Sequence, residues 1–161
     1  MATDMFLKLD GIKGESKDAK HPGEVDVLAW SWGLSNTGTF HKGTGGGGGK
    51  ANINDISFTK WIDAASCALM TNCATGTHIK KATLTVRKAG GKAPLEYLVI
   101  NLENILVSSY STGGSGGEDL LTENVTLNFA KVKIEYQKQK DDGSGEKAGN
   151  FGFDIPANKT A

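Results

Sequence analysis

Hydrophobic and polar residues alternate in several short stretches of this chain. Met5, Leu7 and Leu9 alternate with Lys8 and Asp10, which is the period of a half-buried β-strand. Because several strands at regular spacing accompany a single helix, the chain is predicted to be mainly β, with a small antiparallel barrel or sandwich. The further strands are predicted over residues 24–35, 51–58, 77–88, 95–110 and 123–137, with a short final strand near 150–155.

The single helix is predicted over residues 63–74. Its first residue, Asp63, can act as an N-cap, and Ala65 and Leu69 recur at the spacing that places both on one helical face. Gly76 suits the stop, because glycine adopts the left-handed conformation that ends many helices. We expect the apolar face of this helix to pack onto the barrel.

The second predicted strand, residues 24–35, sorts its side chains by size. One face carries large apolar groups and is predicted to be core, whereas the other must face a wet surface or a neighbour that tolerates no bulk. The large face consists of Leu28, Trp30, Trp32 and Leu34, and the small face consists of Val27, Ala29, Ser31 and Gly33.

Two of the later strands carry additional patterns. In residues 123–137 the apolar residues change from odd to even positions near Ala130, which predicts a β-bulge or a change of the buried side. Residues 95–110 are apolar on both faces, so we expect the outer face of this strand to be covered by the helix or by another subunit.

Residues 36–50 form a long polar insertion that includes the five consecutive glycines 45–49. Because ordering glycine-rich chain is entropically costly, this loop is predicted to be mobile in the isolated subunit. Its glycines suggest a phosphate-binding loop. However, Thr44 and Ala51 stand where that motif requires Gly and Ser or Thr, and a strand is predicted to follow instead of a helix. A nucleotide site is therefore not predicted.

The bulk properties restrict the class of protein. At 161 residues the chain is predicted to form one domain over residues 1–161. Its 18 basic and 18 acidic side chains give zero net charge, which argues against nucleic acid or an anionic membrane as a partner. Neither a membrane-spanning apolar run nor the pattern of a signal peptide is found, so we expect the chain to fold in the cytoplasm.

The sequence indicates no catalytic or metal chemistry. Cys67 and Cys73 are too far apart along a helix for a disulfide, so both are predicted to be buried free thiols. The carboxylates of Glu118, Asp119 and Glu123 lack a partner motif for acid–base catalysis, and we expect them to fix a loop or to make intersubunit contacts. Enzyme activity, cofactors and metals are therefore not expected.

Four stretches carry a family resemblance. They are MATDMFLKLDGIKGESKD at the start of the chain, EVDVLAWSWGLSNTGTFHKGTGGGGGKANINDISFTKWID over residues 24–63, STGGSGGEDLLTENVTL over residues 111–127, and the stretch over residues 84–114. Together they closely resemble the haemolysin co-regulated protein (Hcp) family, the tube-forming subunits of bacterial type VI secretion. The tail, residues 138–161, matches the family only weakly.

The resemblance implies a fold and an assembly. Members of the family are β-barrels with a helix packed on the side, and they form six-membered rings that stack into a tube. The tube lies inside a contractile sheath, carries a spike at its tip and is fired into a neighbouring cell, and some members bind small effector proteins inside the ring. This chain is therefore expected to be a structural subunit that leaves the bacterial cytoplasm through the type VI apparatus.

In such a ring, two groups of residues are candidates for function. The small face of the second strand is expected to face the pore, and the insertion is expected to contact the next ring. An alternative is a monomeric barrel that holds a ligand in its interior. The candidates are Ala29, Ser31 and Gly33 for the pore, and Thr39, Phe40, His41 and Lys42 for ring stacking.

Overall fold

The computed structural model describes residues 3–41, 43, 45–88 and 92–161, and within them the chain forms ten strands and one helix. Most elements lie where the hydrophobic pattern predicts them. In chain order they are β1 (Asp4–Leu9), β2 (Val25–Ser31), β3 (Leu34–Ser35), β4 (Asn52–Ile53), β5 (Ile56–Trp61), α1 (Ser66–Thr75), β6 (Ile79–Lys88), β7 (Leu95–Thr112), β8 (Thr122–Gln139), β9 (Gly145–Asp154) and β10 (Lys159–Thr160).

Six antiparallel strands close into a barrel. Their order is β8, β5, β2, β1, β6 and β7, and β7 returns to pair with β8. The opposite edge of β8 pairs with two strands in succession. β5 pairs with β8 from Thr122 to Leu127, and β9 pairs with β8 from Lys131 onwards. β10 pairs with β9 as the outermost strand. The predicted small antiparallel barrel with one helix is therefore confirmed.

The two longest strands change their buried side at the same level. In β7 the buried positions pass from Leu102 to Ile105, and in β8 they pass from Phe129 to Val132. Asn104 lies at this level with a φ of 52°, in the left-handed region. Such a residue interrupts the regular alternation of side chains along a strand. The change predicted near Ala130 is confirmed, and β7 shares it.

The core fills the inside of the barrel and continues under the helix. Leu69 of α1 is fully buried, and the helix packs beside β7. Gly76 ends the helix with a φ of 69°, as predicted. The predicted N-cap is wrong, because the helix begins at Ser66 and Asp63 lies before it. The Asp63 carboxylate instead accepts a hydrogen bond from the backbone N–H of Ala65, at 2.9 Å.

The side-chain assignment of β2 is partly wrong. Val27, predicted to lie on the outer face, is buried, whereas Leu28 and Leu34, predicted to be core, are 38% and 50% exposed. The register against β5 shifts between Val27 and Ala29, so the inward face changes from odd to even positions at that bulge. Beyond the bulge Trp30 packs against the core, as predicted, and Ala29 lies on the exposed face.

Two further expectations change. Both cysteines are free, but Cys67 is exposed and Cys73 is half-buried, so the prediction of buried thiols is wrong. The predicted insertion forms the outer part of a hairpin, because β3 pairs with β4 at its base.

Candidate functional site: assembly surfaces

Small uncharged side chains form a continuous region on the outer face of four adjacent strands, β2, β5, β8 and β7. Thr59 donates a hydrogen bond to the Asn124 side-chain oxygen at 2.7 Å, and the hydroxyls of Ser57 and Thr126 lie 3.1 Å apart. We call this surface the hydroxyl face. It consists of Ala29 and Ser31 in β2, Ser57 and Thr59 in β5, Asn124 and Thr126 in β8, and Ser109 and Ser111 in β7, which are joined by the cross-strand registers.

The hydroxyl face carries no formal charge and no large side chain. Strand alternation produces it, because Phe58 and Val125 on the intervening positions point into the core. Gly33, the third pore candidate, lies beyond the end of β2. Its carbonyl accepts a hydrogen bond from the backbone N–H of Asn54 at 3.0 Å, so Gly33 belongs to the connection to β3 and not to this face.

A hairpin arm, residues 34–53, extends from the barrel between β2 and β5. Beyond the β3–β4 pair, a bridge joins Gly38 to Gly48, and the Thr39 hydroxyl donates to the Gly47 carbonyl at 2.6 Å. Phe40 is 79% exposed, and its ring lies over Gly46 at a point where any Cβ would collide with it. His41 is exposed, whereas Lys42 lies outside the described residues.

Exposed apolar side chains gather at the far end of β5. The backbone N–H of Ile62 donates to the Leu121 carbonyl at 2.9 Å, which holds the end of β5 against the loop that leads into β8. Trp61, Ile62, Leu120 and Leu121 are 37%, 42%, 58% and 41% exposed, and we call them the rim patch. Glu118 and Asp119, which directly precede Leu120 in the sequence, are exposed.

A buried polar cluster joins β5, α1, β7 and β8. Lys60 and Glu123 face each other in the β5–β8 register, are both fully buried, and form an ion pair. Lys60 also lies 2.8 Å from the Asp63 carboxylate, and the Ser66 hydroxyl donates to Glu123 at 2.8 Å. Tyr110 donates its phenolic hydrogen to the second oxygen of Glu123. The carboxylate therefore has partners on both oxygens, as a buried charge requires.

The surroundings of Tyr110 keep its hydroxyl protonated. Burial, and then the hydrogen bond to the Glu123 carboxylate, raise the pKa of Tyr110 to about 12. The phenol consequently acts as a donor to Glu123 over the whole physiological range of pH. The arrangement holds the start of the helix against the barrel.

The loop between β1 and β2 covers the outer face of β1 and β6. Arg87 of β6 binds the Asp18 carboxylate of this loop at 2.6 Å, and this contact raises the pKa of Arg87 and lowers that of Asp18. His21 of the loop stacks on Phe6 with ring centroids 4.5 Å apart and contacts Glu96 of β7 at 2.6 Å. The outer cover of this side of the barrel therefore comes from the chain's own loop.

The residues singled out from the sequence lie in separate places. Ala29 and Ser31 share the hydroxyl face, the arm carries Thr39, Phe40 and His41, and Glu118 and Asp119 border the rim patch. Glu123 is separated from the other two carboxylates because it points into the core. Sequence reasoning missed Lys60, Ser66 and Tyr110 as its partners. The sequence carried one signal of the cluster. Lys60 occupies the inward-facing position that follows Ile56 and Phe58 in β5, where an apolar residue would be expected.

Comparison with known proteins identifies the class. Residues 6–136 match the family described as "Type VI secretion system effector, Hcp", and the chain belongs to this family. Within the described residues, no helix has the length and apolar character needed to cross a membrane.

Individual relatives agree with this assignment. Protein hcp1 of Pseudomonas aeruginosa is 56% identical over 162 aligned positions, and the alignment covers all of both chains, including residues 138–161. A solved structure described as a type six secretion system protein superposes with a TM-score of 0.93 at 32% identity, covering 99% of this chain and all of the other. Hcp1 from Salmonella typhimurium superposes with a TM-score of 0.80 at 40% identity over the full length of both chains.

Proposed function

We propose that this protein is the structural subunit of the inner tube of a type VI secretion system. Six copies close into a ring, rings stack into a tube, and the hydroxyl face lines the channel. The observation that carries this proposal is the hydroxyl face, a continuous uncharged surface across four strands in a member of the Hcp family.

The surface chemistry supports a channel wall. Side chains such as Ser31 and Thr59 offer hydrogen-bonding groups without charge, and Thr59 is already paired with Asn124 across the strands. A wall of this kind does not hold a passing protein by long-range electrostatics, yet it can form short-range hydrogen bonds with a small effector protein. Ala29 and Ser31 are therefore the candidates for contact with cargo.

The charge balance of the chain is compatible with a closed ring. A ring needs a head-to-tail interface, in which two different patches of one subunit are complementary. The zero net charge of the chain removes one source of repulsion between copies. The contractile sheath and the spike are the partners of such a tube, which is assembled in the bacterial cytoplasm and then exported by the apparatus.

The monomeric ligand-binding barrel is the less favoured function. Buried apolar side chains, among them Leu84, Ile100 and Leu127, fill the inside of the barrel. Small barrels filled in this way have a packed core in place of a ligand cavity. A structural role agrees with this packing.

Native mass tests the proposal. Analytical ultracentrifugation of the purified protein at several micromolar concentrations is expected to show a species of six times the 17.0 kDa subunit mass. Negative-stain electron microscopy of the same sample is expected to show rings. A monomer at every concentration would overturn the proposal.

A further inference from the structure

We propose that the loop between β1 and β2 is a docking surface for an acidic segment of a partner protein. We call this loop, residues 10–24, the strap. The inference rests on the proposed function only where it places the strap on the outside of the tube.

The strap uses its acidic side chains to attach itself to the rest of the protein. Four polar residues recur at every third position, and they are Glu15, Asp18, His21 and Glu24. Glu15 accepts a hydrogen bond from the backbone N–H of Ala64, just before α1, at 3.0 Å. Asp18 binds the arginine of β6, and His21 contacts both Glu24 and a carboxylate of β7. The strap is therefore held in one conformation by contacts with three other elements.

The lysines of the strap are left on its outer surface. Lys13, Lys17 and Lys20 are exposed, and in the described part of the chain no carboxylate oxygen lies within ion-pair distance of their ammonium groups. Asp10 is exposed as well, so three unpaired lysines face one acid on this surface. The strap thus consumes most of its negative charge inside the molecule and presents positive charge to the solvent.

A groove of about 680 Å³ gives this charge a shape. One segment of its lining carries Lys8 and Lys13, and the other carries Lys20. Gly11 and Gly23, with positive φ values of 78° and 72°, belong to the same lining and contribute no side chain to it. An extended segment with carboxylate side chains fits such a groove, because its charges meet ammonium groups on both sides. Since the strap is already ordered, binding does not carry the entropic cost of ordering a loop.

The position of the strap indicates where the partner lies. The strap covers β1 and β6, which are across the six-stranded barrel from β8 and β5. The hydroxyl face runs over β5 and β8, so a channel lined by that face leaves the strap on the outer side of the tube. A partner that approaches from outside and carries carboxylates therefore fits this surface. The zero net charge of the chain makes nucleic acid or an anionic membrane a poorer match.

Photo-crosslinking with an acidic peptide tests the location of the site. The probe is an N-acetylated oligoglutamate that carries a benzophenone group at one end, and it is illuminated with the full-length protein at low salt. Mass spectrometry then maps the attachment points. We expect the crosslinks to fall within residues 8–24. Crosslinks that fall mainly elsewhere, or no crosslink, would overturn the inference.

A matched pair of variants measures specificity. Lys13→Gln/Lys17→Gln/Lys20→Gln is expected to weaken peptide binding at least about fivefold in fluorescence anisotropy, because three exposed ion pairs are lost. The control Lys133→Gln/Lys140→Gln/Lys159→Gln removes the same charge from exposed positions of β8, β10 and the turn after β8, and is expected to bind normally. Equal losses in the two variants would show non-specific attraction and overturn the docking surface.

The outcomes separate this inference from the proposed function. A hexameric mass without strap-dependent peptide binding would retain the ring and refute the docking surface. A monomeric mass with strap-dependent binding would refute the tube and the outward position, and would retain the docking surface. Sedimentation with phosphatidylglycerol vesicles is the remaining comparison. Strap-dependent binding to the vesicles in the absence of binding to oligoglutamate would overturn the inference in favour of a membrane surface.

Discussion

At the scale of single residues, Lys60 and Glu123 place a pair of opposite charges inside an otherwise apolar core. Both side chains are fully buried, and the pair is completed by Asp63 and Ser66 at the start of the helix and by Tyr110 of β7. The free energy of removing two charges from water is large, so the pair is stable only because every charged atom has a partner.

Removal of one partner of this pair is expected to be severe. Lys60→Met leaves the Glu123 carboxylate buried without a cation and should lower the free energy of unfolding by about 3–5 kcal/mol in urea denaturation. The double variant Lys60→Met/Glu123→Leu removes both charges and should recover part of that loss, although Tyr110 then lacks its acceptor. A double variant less stable than Lys60→Met would contradict this account.

His21 connects the β1–β2 loop to β7 and is expected to make stability depend on pH. Its ring nitrogens lie 2.8 Å from Glu24 and 2.6 Å from Glu96, and both can donate at once only in the protonated imidazolium. Burial lowers the pKa of His21, but the hydrogen bonds to Glu96 and Glu24 outweigh burial, and the pKa lies above its ordinary value of 6.5.

The direction of the pH effect follows from that raised pKa. A group whose pKa is higher in the folded state contributes its full stability below its unfolded pKa, about 6.5 for histidine, and loses it as the pH rises through the folded-state value. The difference in unfolding free energy between wild type and His21→Asn should therefore be largest near about pH 6 and should shrink above neutrality. His78→Asn, at an exposed position, is the control. A difference that is independent of pH would contradict this assignment.

At the scale of elements, the helix is attached by a narrow apolar face. Leu69 is fully buried, whereas its neighbour Met70 is 41% exposed. Leu69→Ala should lower the free energy of unfolding by about 2–5 kcal/mol, because the cavity left beside β7 cannot close completely. Met70→Ala should cost less than about 0.5 kcal/mol, as exposed substitutions usually do.

This comparison must be made at one protein concentration, since ring formation stabilises the folded subunit by mass action. Urea unfolding followed by tryptophan fluorescence gives both values. Equal losses for the two variants would mean that the helix does not pack through Leu69.

At the scale of the whole molecule, the hydroxyl face predicts how a larger side chain on the channel wall affects ring formation and effector binding. Ser31 is exposed and pairs with Ser57 in the β2–β5 register. Ser31→Gln should leave the hexameric mass unchanged, because the substitution adds a polar group on an exposed face, and should weaken the binding of a small effector protein by obstructing the channel wall. Co-purification of effector with the ring measures the binding. Loss of the ring itself would place Ser31 in the subunit interface.

Much of the fold could be predicted from local patterns. The positions of β1, β6, β7 and β8 follow from the alternation of apolar and polar residues, and the end of the helix follows from Gly76, which adopts the positive φ that other residues avoid. The exposed small residues Ala29 and Ser31 follow from the same alternation. The motif strings were enough to identify the family, because they span several elements.

The remaining features depend on contacts between distant parts of the chain. A bulge between Val27 and Ala29 reverses the inward face of β2, and its position is set by the pairing with β5 and not by the composition of β2. Lys60 and Glu123 are 63 residues apart in sequence, and the inward position of Lys60 does not by itself indicate which carboxylate is its partner. Only the β5–β8 register brings them face to face inside the barrel, where a lone charge would be too costly to bury. The amino-acid sequence by itself therefore determined the strands, the end of the helix and the family, since these depend on neighbours along the chain. The buried charge pair and the inward face of β2 were decided only by the tertiary structure, since pairing between distant strands sets them.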